Sequence, residues 1–552
     1  MRVLPKKISE IFENKHLHYF ILIILTSMVF SRIWTFEFTS WDDESHILHN
    51  PFLQNFSFES LKVILTPGKM PDEQLYIPFT YISYFIESSC FGIKASVFHI
   101  DNLLLHLLNA ILVYSFSLLI IKNGYGALIC ALFFAVHPLQ VEAVAWTMGR
   151  KDLLMTLFSL LTLINFTCFI NNNSSKAWVL SLICFFAAVF SKPSAFVLPL
   201  LFPVLSWHFG RKLDKDLILK ILPFFAISAI TCLINSKIEM NSFGHELKFI
   251  LFRTAFIPSI AEDWCLKILL LSKPTAYYSW YDYYQGNCIT IAGLTVAISF
   301  MVVATYAYLR KIKILFTGLS FLIILFIPAA ILISWSFRDF VTADRYGYLP
   351  LIGVFLLAGS ALQISGSNIF KLIFACAISI CIITAAWKAF GQVAVWRNSE
   401  TLWKSVLKEH DDSYTANYNL GNYYFKNKND LPLAEFHYRR ANSISPDSDA
   451  WFNLGIICEL TRRKDESSLY YGRAVFLDPN SSCALRKLAL ACYQKNDLDN
   501  ALKYFLRLAE LSPDSAETYF YCGKIFEIKG EREMAAKAFR YFERLKQLNN
   551  KN

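Results

Sequence analysis

Three carboxylates stand in a row at Asp42, Asp43 and Glu44, within the run Ser40-Trp41-Asp42-Asp43-Glu44-Ser45-His46, and Asn50-Pro51 follows. A carboxylate pair can hold a divalent metal, or one member can act as general base toward an acceptor hydroxyl. Burial and a like-charged neighbour would raise its pKa to a useful value. The same residues would serve equally as the cap of a helix lying along a membrane, with no chemistry. Downstream stand His137-Pro138, Glu142, Trp146, Arg150, Lys151 and Asp152, then Ser191-Lys192-Pro193, then Asp344-Arg345-Tyr346. Arg150, Lys192 and Arg345 could clamp a phosphate, since arginine contacts its oxygens in bidentate fashion. Each could instead snorkel at an interface or pair with an acid such as Asp152 or Asp344. His99, Asp101, Asn102, His106 and Asn109 recur at helical spacing and read as hydrogen-bonding groups between helices rather than metal ligands. His46 and His49 lack a ligand set. Neither a GxxxxGK[ST] loop nor a GxGxxG turn occurs, so no nucleotide site is expected.

The elements that must position these residues are apolar. Of 552 residues, 55% are hydrophobic and 17% charged, against about 25% charged in soluble domains. A helix crosses the roughly 30 Å hydrocarbon core with about 20 apolar residues. About eleven such spans fit the first 392 residues: 18–38, 98–121, 124–141, 152–170, 177–191, 194–209, 217–236, 289–309, 314–335, 346–363 and 371–391. The first lacks a small-residue cleavage site and reads as a span, not a signal peptide. With Arg2, Lys6, Lys7 and Lys15 in the cytoplasm, the loops bearing Lys122, Lys176, Arg211-Lys212-Lys215, Arg310-Lys311-Lys313 and Lys371 also fall inside. The net charge of +10 therefore belongs to membrane topology, and no nucleic-acid partner is implied. The stretch 247–271 would break this alternation as a span. With Arg253, Glu262, Asp263 and Lys267 it reads as an interfacial or re-entrant helix. All the acids and cations above then lie on the outer face, where three cations facing an acid pair favour a site. The 13 cysteines contain no CxxC, and no disulfide framework is implied. Cys458, Cys483, Cys492 and Cys522 read as small core residues.

From residue 393 the composition changes. Pro446, Pro479 and Pro513 recur at steps of 33 and 34 residues, and Gly421, Gly455, Ala489 and Gly523 keep a 34-residue step. This is the tetratricopeptide period. Four repeats are expected over 393–552, with small residues letting paired helices approach and proline ending the second helix. The first repeat carries one extra residue near Asp430–Pro432. The fold class is all-α: a polytopic helical membrane bundle over 1–392, then an α-solenoid outside the cytoplasm.

WDDESHILHNP, YIPFTYISYFI, FHIDNLLLHLLNA, HPLQVEAVAWTMGRKDLL, SKPSAFVLPLL, ADRYGYLPLIG and WRNSETLW occur in that order. Together they resemble the transmembrane and tetratricopeptide-repeat O-mannosyltransferase family, within the GT-C glycosyltransferase superfamily. That resemblance implies a GT-C-like bundle with its site on the outer face and a polyprenyl- or dolichyl-phosphate sugar as donor. It implies a hydroxyl acceptor, expected to be protein Ser/Thr and presented by the repeats. Asp42 and Asp43 match the family's catalytic acidic pair; Arg150, Arg345 and Glu142 fall in its outer-face motifs. On this basis Asp43 is the expected base, with Asp42 orienting the acceptor. Arg345, with Arg150 or Lys192, would meet the phosphate, and Glu44, His137, Glu142 and Asp344 would meet sugar or acceptor. A bound metal is left open, with no ligand set assigned. The chain departs from animal members in having four recognisable repeats. The endoplasmic reticulum or a prokaryotic inner membrane would house it. The rival reading is a membrane-anchored scaffold whose repeats recruit envelope-assembly partners. A transporter is disfavoured because no half of the bundle repeats the other.

Overall fold

The computed structural model describes residues 15–71, 73–240, 253–278, 291–335, 341–361 and 368–549. Arg2, Lys6 and Lys7, and the parts of the expected loops and spans in the intervening segments, lie outside the described residues. The backbone divides into two compact units, 1–402 and 403–552.

Among the described residues of the first unit seven helices are long and apolar enough to cross a bilayer: Lys15–Thr35, Ala95–Ile121, Thr147–Asn172, Lys215–Ile238, Ala292–Leu309, Lys313–Ile331 and Leu372–Arg397. The expected span 124–141 is a bent pair, Gly124–Val136 and Pro138–Ala145, with 56° between its halves. Pro138 supplies no N–H to continue the helix, so the chain turns there. Ser175–Ser191 is shorter, and Pro193–Phe209 opens as a 3-10 helix over Pro193–Leu200. The expected span 346–363 is broken into a 3-10 turn Asp344–Gly347 and a helix Ile352–Ser360. About eleven segments thus occupy the expected places, but only seven, or eight with the bent pair, have full spanning length. The stretch 247–271 contains a helix at Ile257–Ile268, about 18 Å long at 1.5 Å per residue and too short to span. Its Lys267 and the preceding Arg253 are buried rather than exposed at an interface.

Glycine pairs set how closely the central helices approach. A Cβ on Gly126 would lie 2.6 Å from the Gly359 carbonyl oxygen, and one on Gly353 would lie 2.3 Å from that of Gly318. Such contacts replace the missing hydrophobic drive between helices in lipid. Gly353→Val is expected to cost about 3 kcal/mol through overpacking, read as a lowered unfolding midpoint in detergent; a midpoint equal to wild type would refute the close contact.

The polar stripe on Ala95–Ile121 bonds neighbouring helices. Asn102 donates to the Trp146 carbonyl at 3.0 Å, Asn109 to that of Leu153 at 3.0 Å, and His106 contacts the Tyr348 hydroxyl at 2.7 Å and the Ala135 carbonyl at 3.0 Å. At one end of the bundle Lys122 and Lys313 both act electrostatically on His208, and Arg211 donates to Asn173 at 3.3 Å. The basic loops therefore meet there, while residues 36–46 and 341–347 lie at the ends of the helices away from them.

The second unit contains four helix pairs: Tyr414–Tyr423 with Leu431–Ile444, Ser448–Leu460 with Lys464–Leu477, Ser482–Gln494 with Leu498–Leu511, and Ala516–Ile528 with Arg532–Asn549. Gly421, Gly455 and Gly523 lie against the rings of Tyr438, Tyr471 and Phe539, where a Cβ would come within 2.7, 2.4 and 2.8 Å. The extra residue of the first repeat is absorbed as a π-turn at Tyr424–Lys428, upstream of the expected Asp430–Pro432. Cys458 and Cys522 are buried and Cys492 partly so, but Cys483 is exposed, because it falls in the first turn of its helix on the outward side.

Candidate active site

After the first helix the chain runs extended through Phe36 to Thr39 and is pinned at both sides. Glu37 N–H donates to the Arg397 carbonyl at 2.9 Å, His99 contacts the Glu37 carbonyl at 3.2 Å, and Ser40 N–H donates to Ser399 Oγ at 2.8 Å. The acidic turn follows. Asp43 is wholly buried; its Oδ2 accepts from the Thr39 N–H at 2.9 Å and the Thr39 hydroxyl at 3.0 Å. Its Oδ1 has no hydrogen bond. Burial above all, with Asp42 adding repulsion, pushes the Asp43 carboxyl up to about 7, against the pull of Thr39 and the Met148 main chain. Asp42 is half-buried, and Glu44 opens the next turn, Glu44–Leu48.

Beside Asp43 the chain makes a 3-10 turn, Thr147–Gly149, and starts a long helix at Arg150. Glycine is required at this turn: a Cβ on Gly149 would lie 2.2 Å from the Ala143 carbonyl oxygen. Arg150 points inward and is fully enclosed. It pairs with Glu87, donates to Asn102 Oδ1 at 2.9 Å and the Phe98 carbonyl at 2.8 Å, and stacks on Tyr84 and Phe98. Lys151, one residue on, has its Nζ 4.9 Å over the Trp146 ring. Asp42, Arg345, Lys192 and Asp152 all lie within its electrostatic reach.

Lys192 precedes Pro193 and is held extended, as a residue before proline must be. Its Nζ donates to Asp152 Oδ1 at 2.5 Å. Arg345 lies on the turn Asp344–Gly347. Glu142 accepts from both its guanidinium and its backbone N–H, the latter at 2.9 Å, and the guanidinium lies 4.9 Å over Trp146. Burial alone would lower the Arg345 pKa, but Glu142, Tyr346, Asp152 and Asp42 hold it above its ordinary value. Asp344, next along the chain, lies within electrostatic reach of Glu142. It accepts from Tyr278 Oη at 2.5 Å, and burial pushes its carboxyl well above the usual range, opposed by Lys267. His137 lies at the bend of 124–145. Its Nδ1 accepts from the Leu139 N–H and its Nε2 faces the Ile268 carbonyl, so Nε2 carries the hydrogen.

The structure therefore brings together Asp42, Glu142, Asp152, Lys192 and Arg345 around Trp146 and Tyr346, with Asp43 one turn away. It places Arg150, His137 and Asp344 in separate surroundings. Lys151, rather than its neighbour Arg150, is the cation of this helix that faces the group, and Glu87 carries a sequence signal as the one charged residue in the apolar helix Pro78–Phe91. Among the described residues, Asp42, Asp43 and Glu44 form no group at metal-holding distance, by themselves or with another acid, histidine or cysteine.

A cleft opens at the charged group. Asp152, Lys192, Arg345 and Tyr346 line one end, and Met155, Leu325, Pro328, Ala329 and Leu349 the other. Ala329 also lines a second cavity of about 140 Å³, walled by Ile260, Trp264, Leu322 and Phe326. Gly347 lets Trp264 pack against the Arg345 turn, where a Cβ would lie 2.3 Å from its ring.

Residues 462–516 match the tetratricopeptide repeat family model. Protein O-mannosyl-transferase TMTC1 of Homo sapiens is 25% identical over 71% of this chain and 50% of its own length. Protein O-mannosyl-transferase TMTC3 of Homo sapiens is 23% identical over 83% of this chain and 55% of its own. Anaphase-promoting complex subunit 3 of Schizosaccharomyces pombe is 32% identical over 26% of this chain and 22% of its own. The chain spans about half the length of the TMTC relatives it matches. Over most of its residues it is thus TMTC-like, similar to the transmembrane and tetratricopeptide-repeat O-mannosyltransferases, with tetratricopeptide repeats at its C-terminal end.

Proposed function

We propose that this chain is an inverting membrane glycosyltransferase that moves mannose from a polyprenyl- or dolichyl-phosphate donor to a protein serine or threonine hydroxyl. The carrying observation is the cleft with a cationic end near the acidic turn and an apolar wall that shares Ala329 with a second apolar cavity. That combination suits an amphipathic ligand with a phosphate head and an isoprenoid tail. The likeness to named O-mannosyl-transferases supports the same class.

In this reading the donor phosphate meets Arg345 and Lys192, whose geometry is fixed by Glu142 and Asp152. The acceptor oxygen attacks the anomeric carbon, the bond from that carbon to the phosphate oxygen breaks, and polyprenyl phosphate leaves. The hydroxyl proton passes to Asp43, whose pKa near 7 suits a base at neutral pH. Asp43 has no exposed surface, so the turn 40–46 must shift as the acceptor enters, and half-buried Asp42 guides the hydroxyl. Arg150 is assigned to the frame of the site rather than to the phosphate. The gathering of basic loops at the opposite end supports an extracytoplasmic site with the N-terminus in the cytoplasm. The repeats would then present the protein acceptor on the same side.

Incubating the purified chain with synthetic polyprenyl-phosphate-mannose and serine- or threonine-containing peptides is expected to yield mannosyl peptide and polyprenyl phosphate in equal amounts. No transfer with any acceptor or sugar would overturn this reading in favour of a scaffold.

A further inference from the structure

Of the three cations at the site, two already have carboxylate partners: Arg345 is held by Glu142 and Lys192 by Asp152. Lys151 differs. It is half-buried, its Nζ lies over the Trp146 ring, and among the described residues it makes no hydrogen bond or ion pair. Asp42 lies within electrostatic reach but beyond ion-pair distance. A lysine half withdrawn from water gains from an anionic partner. Its neighbour Arg150 cannot substitute, because Glu87, Asn102 and Phe98 occupy its donors. An anion entering the site can serve as that partner, and Arg345, over the same Trp146 ring, lines the cleft and brings its charged end beside Lys151.

We infer that Lys151 Nζ joins Arg345 and Lys192 in binding the donor's phosphate and supplies the net charge that holds it as it leaves, an inference that rests on the lipid-phosphate reading above. The charges match: a sugar phosphodiester carries one negative charge, and among the described residues of the site Lys151 is the one cation without a carboxylate partner. Arg345 and Lys192, tied to their acids, shape the pocket and add donors without adding net charge. Lys151 also lies within reach of Asp42, so the same ammonium links the phosphate to the acidic turn where the acceptor arrives.

The test is equilibrium binding of a short polyprenyl phosphate to the full chain in nanodiscs, with the matching neutral polyprenol as control. Wild type binds both. Lys151→Met weakens phosphate binding by about 10- to 100-fold, the worth of one charge-assisted hydrogen bond, and leaves polyprenol binding unchanged; Lys151→Arg restores most of the loss. If Lys151→Met also loses polyprenol, Lys151→Gln takes its place in the comparison. Equal phosphate affinity in wild type and the neutral variant overturns the inference while leaving the transferase reading intact. Failure of wild type to bind the phosphate, together with failure to transfer, overturns both.

Discussion

Asp43→Asn is expected to lower the turnover of mannosyl transfer by about 100- to 10,000-fold, the usual contribution of a positioned base, while making the protein more stable at alkaline pH. Both effects follow from one geometry. The asparagine carbonyl can accept the two Thr39 bonds that Asp43 Oδ2 accepts, so the turn keeps its shape, but the amide takes no proton. In the wild type the carboxyl is raised from 3.8 to about 7, chiefly by burial. The folded state therefore holds its proton at pH values where the unfolded chain has lost it. The wild type is favoured below pH 4, loses that advantage as pH rises through 7, and at pH 8 bears a cost of roughly 4 kcal/mol for the buried charge. Asp43→Asn removes this dependence, so its unfolding midpoint should exceed that of wild type at pH 8 and approach it at low pH. Activity runs the other way. The ionised base is the working form, so the wild-type rate rises with pH to half its plateau near 7. Asp344 also titrates above the usual range, and Asp344→Asn distinguishes the two by keeping the limb near 7. Asp42→Asn should raise the KM for acceptor more than it lowers turnover. The opposite pattern in the two variants would exchange the roles of the two acids.

What the sequence carries and what it hides can be seen in Gly149-Arg150-Lys151-Asp152. Apolar run length locates the helix, and the 33- and 34-residue steps of proline and small residues locate the four repeats, because both signals are read along the chain alone. Which of two adjacent cations faces the site is not local. Successive helical residues point about 100° apart, and the direction of the first depends on the turn that precedes it. Here Gly149 against Ala143 turns Arg150 into the core and Lys151 toward Trp146. Pairing is equally non-local: Glu142 and Arg345 lie 203 residues apart, and Arg150 and Glu87 lie 63 apart. The long outer loop is similarly opaque, since Pro51–Gln54, Phe58–Ile64 and Pro78–Phe91 are short helices that pack on the bundle without a repeating pattern. Loop charges disfavour the stretch 247–271 as a span. That Lys267 turns inward against Tyr278 depends on partners the sequence does not identify.

Arg150→Met is expected to destabilise the membrane unit by about 3 to 5 kcal/mol, the cost of stranding one member of a buried ion pair. Glu87 has 3% side-chain exposure and would lose its only ion-pair partner among the described residues. Asn102 Oδ1 and the Phe98 carbonyl would lose donors as well. Burial already raises the Glu87 carboxyl pKa, and Arg150 opposes that rise. Without the arginine, Glu87 folds best in its neutral form, so the variant's deficit should be small near pH 5 and grow as pH rises. Removing the charge at both ends, Glu87→Gln with Arg150→Met, should recover a large part of the loss, because neutral groups of similar volume can replace a buried pair at little cost. Arg150→Lys separates this frame role from phosphate binding. It keeps the charge but cannot reach Glu87, Asn102 and Phe98 at once, as only a planar fork of donors can. The unfolding midpoint should therefore fall while the KM for the lipid donor stays at the wild-type value. A raised KM with an unchanged midpoint would return Arg150 to the donor phosphate.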